Sequence, residues 1–354
     1  MKDSVKPRDM LLEKSPWRNN SNKIWLASSL CLKRNVEKFN FPPRLSGDRQ
    51  KAIVTLIGKE ILKEDLDNPV LFKADKMDPL DKEYLTEHFL TTSDFHHAHA
   101  GEAFIVDHSS RFLTTLNIHD HIQFRIINVK SDPEKSLNEL IKIESAVGKT
   151  LKYAYSPRFG FLTSHPEESG TGMEMSIYIQ VPALIHTGAI DATLDKIMDD
   201  SIEITGLHGS PTEIIGDLLV LKNQYSLAVT EETILSSLHQ AATRLTLEEN
   251  SARSKIKQKE NPEIKDRVSR AFGILIHSYQ IEALEALNAI SLIKLGVDFD
   301  WIKGISNESL NELFLNCRRA HLICCQQTPI QQEEVGHARA GYIHKALEKV
   351  ELLI

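Results

Sequence analysis

The sequence predicts an α+β domain, a large antiparallel sheet flanked by helices, over residues 15–250, followed by a small all-helical domain over 258–354. Three observations lead there. Segments alternating apolar with polar residues recur through the first two-thirds, some joined by tight turns. Helical segments are interleaved with them, which favours a largely antiparallel sheet in an α+β arrangement. Past Thr246 the composition shifts, and only helical spacing follows.

Arg111–Leu116 is rich in strand formers. His121–Val129 alternates, with Ile122, Phe124 and Ile126 on one side and Gln123 and Arg125 on the other. Between them, Asn117-Ile118-His119-Asp120 has the Asn and Asp that suit a turn, so the pair reads as a hairpin. Ser136–Thr150 and Thr230–Glu248 read as helices. Ser176–Val181 alternates again and Pro182 stops it. From Thr246 to Arg267 half the residues are charged, and the stretch reads as a solvated helix or a linker. Pro262 suits the first turn of a new helix, continued by Ile264, Val268, Phe272, Leu275 and Tyr279 at helical spacing. Ala283–Leu295, Ser309–Cys325 and Glu333–Leu353 complete the helical part. Leu310, Leu313, Phe314, Leu315 and the 322–325 run are read as core, although a dimer face would use the same residues.

Composition bounds the function. Among 354 residues, 42 Lys and Arg stand against 49 Asp and Glu, a net charge of −7. That balance disfavours a nucleic-acid binder held by a general basic surface. No apolar run approaches bilayer length, and the polar Met1–Lys14 carries no apolar segment to serve as a signal peptide. The four cysteines, Cys31, Cys317, Cys324 and Cys325, form no CxxC pattern. A cytoplasmic protein without a membrane partner is the expectation.

Three local features suggest chemistry. Asp94-Phe95-His96-His97-Ala98-His99, with Glu102 and His108 nearby, has the imidazoles of a zinc or copper site, but at no standard ligand spacing; no metal is expected. His119-Asp120-His121 sits at the hairpin turn, where adjacent side chains diverge. Phe159–Pro166 followed by Ser169-Gly170-Thr171-Gly172 could expose backbone N–H groups to phosphate, although glycines mark tight turns far more often. Alone, these leave the function open.

Taken together, the segments resemble the ATP:guanido phosphotransferase family, and within it the bacterial protein-arginine kinases, from about Trp17 to the C-terminus. Ala27–Asn35 is similar to the family's SSRIRLARN segment, and Asn117–His121 falls where the family has NEEDH. Phe159–Leu184 resembles its FGYLTSCPTNxGTGLRAS…LPAL stretch. Arg270–Leu275 and Lys294–Asp298 resemble the helical C-terminal domain of the protein-arginine kinases. The resemblance implies a kinase-type transferase using Mg-ATP, a homodimer formed through the C-terminal domain, and a small zinc-binding activator protein as partner.

The departures point elsewhere. The family holds nucleotide phosphates with five arginines, and the matching positions here are Ser29, Cys31, Gln123, Glu174 and Thr205. Charge-assisted hydrogen bonds contribute roughly 1.5–3 kcal/mol each, so the set grosses about 7–15 kcal/mol against the roughly 8 kcal/mol that holds a micromolar ligand, and its loss should abolish useful affinity. The family's catalytic glutamate in NEEDH corresponds to His119, a second glutamate to Ser210, and its guanidinium-contacting cysteine to His165. Neutral His and Ser do not replace carboxylates that grip a guanidinium. In the C-terminal domain the phosphoarginine-binding RDxxRA segment corresponds to Val335–Ala340, which keeps Arg339 but loses the leading Arg-Asp pair. Packing and turn residues are kept: Phe159, Gly160, Thr163, Pro166, Gly170, Gly172 and Pro182. The expectation is a pseudokinase that binds no nucleotide and serves as a scaffold or binding protein, with no cofactor. An active phosphotransferase using Arg111, Arg125 or Arg158 as replacement phosphate contacts is the alternative; Arg125 shares a strand face with Gln123.

Overall fold

The computed structural model describes residues 6–354 apart from 19, 93–94, 131, 198, 260 and 327–329. In chain order, α1 (Pro7–Glu13), β1 (Trp25–Arg34), α2 (Gly47–Ile61), β2 (Val70–Lys73) and α3 (Pro79–His88) lead into the meander β3 (Ala103–Val106), β4 (Phe112–Leu116) and β5 (Ile122–Asn128). Next come α4 (Pro133–Thr150), the short hairpin β6 (Tyr155–Ser156) and β7 (Gly160–Phe161), and β8 (Met173–Gln180). They are followed by α5 (Pro182–His186), α6 (Ile190–Ile197), β9 (Ile202–Gly206) and β10 (Leu218–Asn223). The remainder is helical, with α7 (Glu231–Lys259), α8 (Pro262–His277), α9 (Ala283–Asp298), β11 (Ile302–Lys303), α10 (Asn307–Asn316), α11 (Arg319–Cys325), α12 (Val335–Leu347) and β12 (Glu351–Leu352). No helix among the described residues is long and apolar enough to cross a membrane.

Eight strands form one sheet in the order β2-β3-β4-β5-β1-β8-β10-β9, with every neighbouring pair antiparallel. Alternation sorts the sheet into two faces. Leu30, Leu32, Phe124, Ile126, Met175 and Ile177 pack one face beneath α4 and α7. On the other, Leu26, Ala27, Ile127, Tyr178 and Val220 meet Tyr84, Leu85 and Phe89 of the α3 region. Between these apolar patches, the second face turns polar along the middle strands, and that polarity makes the site.

The Asn117–Asp120 turn forms as the sequence predicts, with Asn117 at a φ of 61°. β8 begins at Met173, before the predicted Ser176. Its alternation extends backwards through Met175, Glu174 and Met173, and Glu174, a charged residue facing the polar side, hid it. The linker reading of residues 246–267 is corrected: α7 continues to Lys259 with Glu249, Ala252, Arg253 and Ile256 buried. Glu249 accepts from the backbone N–H groups of Ala183 and Leu184 at 3.1 and 2.9 Å, capping the start of α5. Arg253 donates to Glu249 at 2.7 Å, so these charges are paired in the interior rather than solvated. Ser309–Cys325 divides into α10 and α11, and the final residues pair β12 with β11.

The helical part docks through a buried polar network. The Lys294 ammonium donates to Gln180 at the end of β8 and to Asn311 Oδ1 at 2.6 Å. Asn311 donates in turn to the Asn20 and Asn22 carbonyls at 2.6 and 2.9 Å. Gly216 N–H donates to Asn288 at 2.6 Å. Gly216 has a φ of +63°, and a Cβ there would meet the Phe314 ring at 2.5 Å, so glycine is required by both conformation and contact.

Candidate functional site

The polar face is built by register. Ser29, Cys31 and Lys33 alternate along β1, and Cys31 stands opposite Arg125 of β5 on one side and Glu174 of β8 on the other. Lys33 stands opposite Gln123, Ser29 opposite Ser176, and Ser176 opposite Lys222 of β10. Thr205 of β9 pairs with Val220. Of the five positions that sequence comparison singles out, Ser29, Cys31, Gln123 and Glu174 therefore lie on the middle strands β1, β5 and β8, and Thr205 lies on the edge strand β9 of the same sheet.

Glu174 is the hub. Its Oε2 lies 3.0 Å from Lys33 Nζ and 3.4 Å from Lys222 Nζ, and Arg125 Nη2 donates to Oε1 at 3.1 Å. Burial alone would raise the Glu174 carboxyl, but Lys33, Arg125 and Lys222 outweigh it and hold the group well below the usual carboxylate range. Burial likewise works against the charge on Lys33, and Glu174 foremost overcomes it, so the ammonium stays charged. Lys33 also meets Glu168 at 2.7 Å, and Arg125 Nη1 donates to Ser29 Oγ at 3.0 Å. Burial pushes the Cys31 thiol up, against Arg125, so no reactive thiolate forms.

The face is richer in cations than the five positions and Arg125 alone suggest. None of the five positions carries one, but Lys33, Arg125 and Lys222 converge beside them. Three cations face two carboxylates, Glu174 and Glu168, and one net positive charge remains. Reasoning from the sequence missed Lys33 and Lys222. Lys33 was findable, lying two residues from Cys31 and hence on the same face. Lys222 required the β10–β8 register.

A cleft of about 350 Å³ opens above this row, edged by Thr92, Gln123, His119 and His165. A smaller hollow of about 120 Å³ continues from it past Tyr178, Thr205 and Leu207. The His119 and His165 rings stand 6.3 Å apart at the cleft mouth. Burial, helped by His165 and opposed by Asp120, lowers the His119 pKa and keeps its imidazole neutral. Ser210 is half-buried outside the cleft lining, its hydroxyl 3.2 Å from that of Thr212.

Other candidates fall elsewhere. His121 turns away from His119: its Nδ1 accepts from the Val36 N–H at 3.0 Å and its Nε2 donates to the Asn40 carbonyl at 3.0 Å. Asp120 accepts from Asn35 and the Ser164 N–H at 2.6 and 2.7 Å, so the triplet fixes loops and shares no ligand. In the histidine-rich loop Asp94 lies outside the described residues, and His99 meets Glu102 at 3.6 Å. Among the described residues no group of three or more His, Cys, Asp or Glu is placed to hold a metal. Arg111 is engaged by Glu139 at 3.2 Å, and Arg158 lies over the Phe159 ring, both away from the cleft. Arg339 is buried and donates to the Cys317 and Ile281 carbonyls, both at 2.7 Å. Its guanidinium therefore joins α12 to the turns around it.

Comparison with known proteins gives this geometry a family. Residues 50–252 match the ATP:guanido phosphotransferase C-terminal catalytic domain, and residues 261–352 the protein-arginine kinase McsB C-terminal domain. The chain belongs to the ATP:guanido phosphotransferase family. A protein-arginine kinase of Chlamydia pneumoniae is 33% identical over 347 residues, covering 95% of this chain and 96% of the relative. One from Clostridium acetobutylicum is 30% identical over 339 residues, covering 94% and 99%. Among solved structures, a taurocyamine kinase from Schistosoma mansoni with bound transition-state-analogue components superposes with a TM-score of 0.55 at 22% identity, covering 64% of this chain and 33% of that one. Lombricine kinase superposes at 0.55 and 18% identity, covering 66% and 68%. These two establish the fold. Within this guanido-kinase fold, the Glu174 row occupies the sheet between β5 and β10.

Proposed function

We propose that this member of the family has lost nucleotide binding and phosphoryl transfer and works as a pseudokinase, a scaffold or binding protein whose ligands are proteins. The Glu174 carboxylate carries the reading. It sits at a position matching a phosphate-binding arginine of the family and engages Lys33, Arg125 and Lys222 at once. A triphosphate approaching this face would displace an internal anion already held at contact distance, and would meet the Glu168 carboxylate beside it. The residues on this face do not fit Mg-ATP.

The acceptor side supports the same reading. Gripping and deprotonating a guanidinium requires carboxylates near the reacting nitrogen. The positions matching the family's catalytic groups hold His119, Ser210 and His165, none of them a carboxylate. A homodimer built through the C-terminal helices, with a small zinc-binding activator-type protein as partner, belongs to this reading by family resemblance.

One observation favours the alternative, an active protein-arginine kinase with replacement residues: Arg125 does face the cleft. Its guanidinium, however, is taken up by Glu174 and Ser29. The test is incubation with ATP, Mg²⁺ and an arginine-rich protein, with phosphoarginine read by mass spectrometry. The expected result is none above an Arg125→Ala control. Phosphoarginine that forms with the natural chain and vanishes in Arg125→Ala would overturn the reading.

A further inference from the structure

A hollow of about 870 Å³ lies on the opposite face of the sheet from the Glu174 row, between α4 and α7. The two helices run in opposite directions over it. α4 starts beside β5, where Asn128 donates to Ser136, and reaches Arg34 at the end of β1 through Glu144. α7 passes the start of β1, where the His239 and Trp25 rings stand 5.4 Å apart. The wall from α7 runs from Glu231 to Arg244 and that from α4 from Glu134 to Glu144. At 1.5 Å per residue these walls are about 20 and 15 Å long. The result is a trough three to four helical turns long, with helix faces for sides.

Its floor is apolar and firmly built. Leu137 and Leu235 are buried along it, and Ile141 stands exposed at the rim. At one end the Arg34 guanidinium lies 3.6 Å from the centre of the Phe161 ring, donates to Glu144 at 2.7 Å, and donates to the Lys33 and Thr171 carbonyls at 2.8 and 2.9 Å. That end opens into a second hollow of about 500 Å³, which shares Phe161 and Glu231. There the β6–β7 hairpin leaves Tyr155 and Phe159 exposed. Exposed aromatic side chains beside a preformed apolar groove are the composition of an interface centre.

Charge chooses the guest. Glu144 is paired with Arg34, whereas Glu134, Glu231 and Glu232 line the trough against one further guanidinium among the described lining residues, Arg244, with Arg158 in the lining of the adjoining hollow. Glu231 and Glu232 lie at the Phe161 end, which is therefore acidic. Such a rim repels phosphate-bearing partners such as nucleic acid or lipid headgroups. We infer that the α4–α7 trough docks a basic amphipathic helix of a partner protein, its apolar stripe on Leu137, Ile141 and Leu235 and its cationic residues toward Glu231 and Glu232. A third helix laid between two others satisfies ridge-into-groove packing. The inference names a partner surface for the binding-protein reading, but it stands apart from nucleotide affinity, so the two fail separately.

The test uses the full chain and a fluorescently labelled synthetic peptide of Lys and Leu in amphipathic helical order, read by anisotropy at physiological salt. A peptide of the same composition in scrambled order and one with Glu for Lys are the controls. The expected result is saturable binding of the amphipathic basic peptide alone. It weakens about tenfold or more with Ile141→Glu, and comparably with Glu231→Lys and Glu232→Lys together, while the melting temperature stays unchanged. No binding, equal binding of the scrambled peptide, or binding indifferent to these substitutions would overturn it. So would self-association of the chain that the same substitutions abolish, since the trough would then hold a second copy.

Discussion

At the scale of single residues, the question is what one carboxylate does among three cations. Glu174 is deprotonated because Lys33, Arg125 and Lys222 together outweigh the cost of burying it. Removing one partner of such a set leaves uncompensated buried charge, which typically costs about 3–5 kcal/mol. Glu174→Gln should therefore lower the unfolding free energy by about that amount in urea titrations. It should also create affinity for pyrophosphate, because Lys33, Arg125 and Lys222 would then face Glu168 alone. A Glu174→Gln variant as stable as the natural chain, or one still indifferent to pyrophosphate, would mean that the carboxylate does not hold the cations. The sign of the pH effect follows. Glu174 binds its proton more weakly folded than unfolded, so its contribution is present above the unfolded pKa and is lost as pH falls through the depressed folded value.

His121 gives a second residue-scale prediction in a different pH window. Burial lowers its imidazole to about 4, against the help of the Asn40 carbonyl and Asp120. The unfolded chain then binds more protons than the folded one between about pH 6.5 and 4, so stability falls as pH falls through that window. At 1.36 kcal/mol per pKa unit the ceiling is on the order of 3 kcal/mol. Urea unfolding at several pH values should show the natural chain losing more stability across this window than His121→Gln. Parallel pH profiles would place the histidine's proton-linked cost elsewhere.

At the scale of elements, the loop from Pro166 to Gly172 is held by its glycine backbone geometry. Gly170 has a φ of +103°, and a Cβ there would lie 2.3 Å from the Ser226 carbonyl oxygen. Gly172 has a φ of +59° and would press on the Lys33 carbonyl at 2.7 Å. These glycines set how β8 enters the sheet beside β1, and no phosphate is needed to explain them. Gly170→Ala should lower stability by roughly 1–3 kcal/mol, seen as a fall in melting temperature. An unchanged melting temperature would show that the loop can shift to make room.

The same scale explains what could be read from the sequence. The β4–β5 hairpin was legible because strict alternation and an Asn–Asp turn coincide. The α8 start was legible from Pro262, with Asn261 capping the helix through its side chain. The burial of α7 beyond Glu248 was not, since Glu249 and Arg253 look solvated until their partners on α5 and α9 are known. The polar face was half legible. The five diverged positions follow from family resemblance, whereas the convergence of Lys33 and Lys222 on Glu174 depends on register between distant strands.

At the scale of the whole molecule, one apolar core runs from Leu30 in the sheet through Leu238 of α7 to Ile290 and Ile343 of the C-terminal helices. The Lys294–Gln180–Asn311 network lies across the same junction. Shared core implies shared unfolding, so calorimetry should record a single transition. Asn311→Ala removes an acceptor from Lys294 and the donor to the Asn20 and Asn22 carbonyls. It should lower that transition by about 1–3 kcal/mol without splitting it. Two resolved transitions in the natural chain would instead describe independent units.

The central claim concerns the molecule's ligand. A face that carries its own anion has little use for a nucleotide, and the measurement that decides this is isothermal titration calorimetry of the purified full chain with ATP and Mg²⁺. The account predicts no detectable heat up to millimolar nucleotide. Saturable micromolar binding that disappears in Arg125→Ala would contradict it, and would make the Glu174 row a nucleotide site.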